Sequence, residues 1–145
     1  DDGVLVACAS IHGNTKKAAE KMVEILKAKG AKKVAFTDLT RDDMAEAVEE
    51  AFRYGKLVLA TITYNADIFP FMKTYIDHLT ERNYQNRTIG LIENGSWAPN
   101  AAKVMKAEFE KSKNITWLDT TVKIMSSLSE ENMEQLDQMA EELCK

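Results

Sequence analysis

The chain is poor in the residues that punctuate, cross-link and chelate. Its 145 residues hold two prolines and six glycines, which leaves no room for a long linker or a low-complexity segment. Two cysteines, Cys8 and Cys144, stand near opposite ends. They make no disulfide framework and suit a reducing cytoplasm. With no Cys-x-x-Cys and only two histidines, His12 and His78, a structural zinc site is not expected. No apolar run approaches the roughly 18 residues that a membrane-spanning helix needs. A basic excess is also missing, since 19 Lys and Arg face 23 Asp and Glu for a net charge of −4. That disfavours nucleic acid and anionic membrane surfaces as partners, because few cations are available to displace counterions.

What the chain does have is alternation. Hydrophobic residues make up 45% and charged residues 29%, enough for an ordinary core, and residues 1–145 fit a single domain. Apolar, β-rich runs at 4–10, 33–38, 57–63, 87–93 and 115–124 read as strands, the last with a bend expected at Asp119. Between and after them, helical spacing of apolar residues predicts helices over 15–30, 41–55, 69–79, 99–112 and 129–144. Gly30 reads as a helix stop, Pro70 and Pro99 as first-turn residues, and Ser129 as an N-cap. Five β-α units imply an α/β fold with a parallel sheet covered on both faces. Five strands in so short a chain favour the three-layer, doubly wound order 2-1-3-4-5, with ligands bound beyond the carboxyl ends of the strands.

Three loops should meet there: Ser10–Thr15 (SIHGNT), Thr63–Phe69 (TYNADIF) and Glu93–Asn100 (ENGSWAPN). The first opens a helix and is rich in neutral donors, which suits an anion. Asn14 or Thr15 could equally serve only as a helix cap. The lysines, Lys16 and Lys17, come after the loop, so it is not a nucleoside-triphosphate loop, and it lacks the G-x-G-x-x-G of a dinucleotide site. A single phosphate fits, with His12 as a neighbour. Tyr64 and Trp97, one in each of the other loops, can flank a planar ring, and Asn65 and Asn94 can bond its rim. A phosphate beside a flat ring describes flavin mononucleotide. Paired acids such as Glu49-Glu50 and Glu141-Glu142 lie in helices and read as solvated faces.

The same residues carry a family resemblance. S-I-H-G-N-T resembles the flavodoxin phosphate loop, T/S-x-x-G-N-T. T-I-T-Y-N resembles the S-P-T-Y-N loop of the flavodoxin-like domain of flavo-diiron proteins (A-type flavoproteins), and G-S-W at 95–97 is similar to that domain's Y-G-W. The resemblance runs from Val4 to the last helix. It implies FMN as cofactor, with Ser10, His12, Gly13, Asn14 and Thr15 at the phosphate. Thr63, Tyr64, Asn65 and Ala66 would border the isoalloxazine, and Asn94, Gly95, Ser96 and Trp97 would close its other side. It implies an electron carrier rather than a complete catalyst, with no catalytic or metal-ligating residue of its own. Its partners would be a metallo-β-lactamase-like di-iron domain, on the parent chain or its dimer mate, and a donor such as rubredoxin or a reductase. The di-iron domain would reduce dioxygen or nitric oxide. The chain starts at Asp1 without methionine and is expected to be the flavin half of a longer protein. It departs from the pattern at Ile62, where the family often has proline, and lacks the Gly-Gly that often follows the tryptophan.

A semiquinone with a lower second potential is expected, with Asp67 and Glu93 disfavouring an anionic reduced ring. Other readings of the same loops are a stand-alone short-chain flavodoxin, an FMN-dependent quinone reductase, and an interaction module that has lost its flavin. A phosphoacceptor receiver domain needs acids where Ser10 and Thr61–Thr63 stand.

Overall fold

A computed structural model describes residues 3–9, 13–64, 67–68, 70–94, 101–124 and 130–144. The elements run β1 (Gly3–Ala9), α1 (Gly13–Ala28), β2 (Lys33–Asp38), α2 (Met44–Arg53), β3 (Lys56–Tyr64), β4 (Asp67–Ile68), α3 (Pro70–Glu81), β5 (Arg87–Asn94), α4 (Ala101–Glu108), β6 (Ile115–Ile124) and α5 (Glu130–Leu143). The five long strands are parallel in the order β2-β1-β3-β5-β6, with the short β4 attached to β3. This is the 2-1-3-4-5 order expected from the alternation.

Period-two alternation along the strands divides the core in two. Even-numbered residues Val4, Val6, Cys8, Val58, Ala60 and Ile92 pack with Ala18, Met22, Leu26, Leu136 and Met139 of α1 and α5. Odd-numbered Leu5, Ala7, Leu57, Leu59, Ile89 and Leu91 pack with α2, α3 and α4 through Val48, Ile76 and Met105. Both clusters are almost wholly removed from water. That apolar burial, rather than helix propensity, holds helices this short in place.

Differences from the expected boundaries have local causes. The first helix begins at Gly13 rather than Thr15 and ends at Ala28. Past it, Ala31 N–H bonds Leu26 C=O at 3.0 Å while Gly30 takes φ 91. This is the six-to-one closure that glycine permits, so Gly30 is the stop its type suggested. Helix α2 starts three residues late because Asp42 folds residues 37–42 into a turn. Its carboxylate accepts from Asp38 N–H at 2.8 Å and from the Thr37 hydroxyl at 3.1 Å. Helix α4 stops at Glu108, and residues 109–112 tighten into three-residue turns. Phe109 there is buried beside Tyr84 and Trp117. Ser129 lies outside the described residues.

The bend expected at Asp119 is a bulge. Ile89 faces Trp117 and Leu91 faces Thr121, so two steps on β5 span four on β6. Gly90 makes room for it: a Cβ there would stand 2.7 Å from Leu118 Cδ1 and 3.1 Å from Met139 Sδ.

Candidate functional site at the carboxyl ends of the strands

Register brings the ends of β1 and β5 level on β3, which runs on to Tyr64. Ala9 of β1 pairs with Thr61 of β3, and Ile62 of β3 pairs with Asn94 of β5. The Thr61 hydroxyl donates to Ala9 C=O at 2.8 Å and ties the end of β1 to β3 in a buried position. The three loops singled out in the sequence leave from these strands. Of their residues, Ser10, His12, Asn65, Ala66, Gly95, Ser96 and Trp97 lie outside the described residues. Gly13 and Asn14 open α1, Thr63 and Tyr64 end β3, and Thr15 and Asn94 are buried.

The start of α1 has the wrong register for the capping alternative. With Gly13 as the first helical residue, Asn14 and Thr15 lie inside the first turn. The first-turn N–H groups of Gly13, Asn14 and Thr15 have no intrahelical acceptor, so they are donors for whatever sits beyond the helix. Thr15 is engaged elsewhere: Asn94 Nδ2 donates to Thr15 Oγ1 at 3.2 Å, across 79 positions of sequence, with both residues buried. The bond joins the first loop to the third.

The second loop is not a loop throughout. Strand β3 runs on to Tyr64, and β4 returns against it with Thr63 opposite Ile68 and Tyr64 opposite Asp67. The two strands form a short antiparallel pair. Short β-favouring runs on either side, Ile62–Tyr64 and Ile68–Phe69, were the available signal.

Glu93 also has a partner within the fold. It is buried, and its Oε1 accepts from Ala102 N–H at 3.3 Å. Ala102 N–H is one of the first-turn donors of α4, so this carboxylate satisfies a helix end on the far face of the sheet. The sequence offered no sign of that partner.

Charge near the first loop is also occupied. Lys16 Nζ lies 3.4 Å from Asp38 Oδ2 at the end of β2. Asp38 further accepts from Thr40 N–H at 3.0 Å and the Thr40 hydroxyl at 2.6 Å. Burial opposes ionisation of Asp38, but the Thr40 bonds and Lys16 outweigh it and hold the carboxyl below its usual range. Beneath it, burial and the Asp38 charge push the Cys8 thiol up to about 12. Cys8 is thus an inert core residue.

Three cavities lined by described residues lie away from these strand ends. One of about 770 Å³ follows the free edge of β2 beside α2, lined by Asp42, Asp43, Glu46 and Arg53 among others. Two smaller ones, of about 410 and 320 Å³, sit toward the amino ends of the strands, near Gln85 and near Lys56 and Thr88. Among the described residues no group of His, Cys, Asp and Glu comes together to hold a metal ion, and no helix is long and apolar enough to cross a membrane.

Solved structures share this fold. The rubredoxin oxygen:oxidoreductase of Desulfovibrio gigas superposes with a TM-score of 0.89 at 20% identity, over 97% of this chain and 35% of that one. A flavodoxin from the domain Archaea matches with a TM-score of 0.82 at 16% identity, over 99% of both chains. A flavo di-iron protein of Thermotoga maritima gives 0.79 at 21% identity, over 99% of this chain and 36% of that one. The chain thus spans about a third of the length of the two larger proteins. No family model and no curated protein sequence matches it. The likeness shows a flavodoxin-like fold.

Proposed function

We propose that the chain is an FMN-binding electron-transfer domain. The observation that carries this reading is the level meeting of the ends of β1 and β5 on β3 at the switch point, with the first-turn N–H groups of α1 on one side and the β3–β4 pair on the other. This is where an open parallel sheet binds its ligand. The donor set is neutral. Lys16 is held by Asp38, and the Glu93 carboxylate faces α4, so a single phosphate would be bound by N–H and O–H groups at a helix start. Gly13, Asn14 and Thr15 would hold that phosphate together with Ser10 and His12. Thr63, Tyr64, Asn65 and Ala66 would border the ring from the second loop, and Gly95, Ser96 and Trp97 from the third. The flavin supplies the redox chemistry when bound, and the protein binds it, orients it and limits water around it.

The test is direct. The purified protein, or the protein mixed with FMN, should quench FMN fluorescence with one-to-one stoichiometry. An absence of binding to both FMN and riboflavin at micromolar concentration would sink the proposal.

In the finer reading, electrons pass from this domain to a di-iron domain that reduces dioxygen or nitric oxide, and arrive from a rubredoxin-like donor or a reductase in the cytoplasm. The T-Y-N segment and the likeness to a third of the Desulfovibrio gigas protein support it. An in-frame di-iron domain in the flanking coding sequence is its check. A stand-alone flavodoxin is the second reading, favoured by the archaeal flavodoxin that matches over 99% of both chains. A reduced domain that passes electrons to a quinone in steady turnover would instead favour a quinone reductase.

A further inference from the structure

We infer that Asn94 acts on the phosphate of the ligand rather than on its ring, by fixing the direction of the Thr15 hydroxyl. This rests on the FMN reading above and assigns Asn94 a role there as a positioning residue.

The chemistry follows from counting donors. A threonine hydroxyl has one proton to give and two lone pairs to receive with. Asn94 Nδ2 at 3.2 Å uses a lone pair of Thr15 Oγ1. The hydroxyl proton is then free to donate, and among the described residues it has no acceptor. Thr15 is 0% exposed and Asn94 8% exposed, so bulk water does not supply one. A buried O–H in the first turn of α1, beside N–H groups that also lack intrahelical acceptors, is completed by an anion at the helix start. The result is a relay of one sense: amide N–H to hydroxyl oxygen, hydroxyl proton to phosphate oxygen. Charge on the acceptor strengthens the second bond, and the first polarises it. Asn94 is placed for this by the sheet. Its even position in β5 puts it on the α1 face with Ile92, and register sets it level with Ile62 of β3.

The experiment compares FMN with riboflavin, which has the same ring and no phosphate, by fluorescence titration of the whole chain. Wild-type protein should prefer FMN strongly. Asn94→Ala should weaken FMN by about tenfold, the scale of one charge-assisted hydrogen bond, and leave riboflavin unchanged. Thr15→Val should show the same selective loss, and the double variant should be little worse than either, because the two residues act in one chain of bonds. Thr15→Ser keeps the hydroxyl and should keep FMN affinity. Asn94→Asp can only accept, so it reverses the relay, and it should cost more FMN affinity than Asn94→Ala. Thermal unfolding of each ligand-free variant identifies any that fails to fold, and the Thr15→Val and Thr15→Ser pair then carries the result. Equal losses of FMN and riboflavin in Asn94→Ala would place Asn94 at the ring and overturn the inference, as would no loss of either. Wild-type protein that binds neither ligand would overturn the FMN reading itself, a result distinct from both.

Discussion

Glu93 and Asn94 are neighbours at the end of β5, both polar and both buried, yet they serve opposite faces of the sheet. Asn94 reaches Thr15 at the start of α1, and Glu93 reaches Ala102 at the start of α4. Glu93 accepts a backbone N–H of its helix start, whereas Asn94 bonds only a side-chain hydroxyl and leaves the N–H groups of α1 open. The neutral amide goes to the helix whose start is the candidate anion site, and the carboxylate goes to the one whose start is not. A carboxylate on the α1 side would repel a phosphate there, whereas on the α4 side its charge meets the positive end of a helix. On the α1 face of the sheet Lys16 is paired with Asp38. Among the described residues at these strand ends, Asn94 and Thr15 meet on the α1 face as neutral groups, while Lys16 and Asp38 pair on its flank and Glu93 turns to the opposite face.

The sharpest way to disturb the α1 face is at Gly90. Gly90→Val would press on Leu118 and Met139, which already stand within 2.7 and 3.1 Å of a bare Cβ. A loss of about 3 kcal/mol in urea unfolding is expected from overpacking. On the opposite face, Glu93→Gln keeps an acceptor for Ala102 N–H but removes its charge. Stability should fall by about 1 kcal/mol, with the preference for FMN over riboflavin unchanged. A changed preference would mean that the Glu93 charge is felt across the sheet and that the two faces are not separate.

Asp38 tests the flank. Its carboxyl is held below the ordinary aspartate value in the folded chain, so its contribution to stability is complete above the unfolded value. That contribution is lost as pH falls through the folded one. The wild type should therefore lose its stability advantage over Asp38→Asn as the pH drops below about 4. Parallel pH profiles for the two proteins would show that the pair with Lys16 contributes nothing. The smallest effect should be chemical. At pH 8 iodoacetamide should alkylate the exposed Cys144 and spare Cys8, which is buried with its thiol pushed up to about 12. Mass spectrometry of the native protein should find one label, and labelling of Cys8 would mean that α1 opens readily from the sheet.

Much of this fold is legible in the sequence. Apolar runs such as Val4–Ala9 and the spacing of Ala18, Met22 and Leu26 announce strands and helices through short-range periodicity. Alternation of the elements then gives the layers and the strand order. The candidate loops follow from that order, because it fixes where the switch point lies. Less legible were the ends of elements. Helix α2 lost its first residues to Asp42, and β3 ran on to pair with β4. Such boundaries are set by one or two side-chain or ladder bonds that compete with helix and loop on nearly equal terms.

Local pattern, then, settles which residues of this chain are strand, helix and loop, and even that residues 93 and 94 must face opposite ways. It carries no record of what covers each face. That Asn94 finds Thr15, 79 positions away, and that Glu93 finds Ala102 depends on the handed crossovers that lay α1 on one side of the sheet and α4 on the other. Hydrogen bonds are too short-ranged and too directional to be read from spacing along the chain. Once the packed sheet brings their partners within about 3 Å, they divide two adjacent polar residues between the start of α1 and the start of α4.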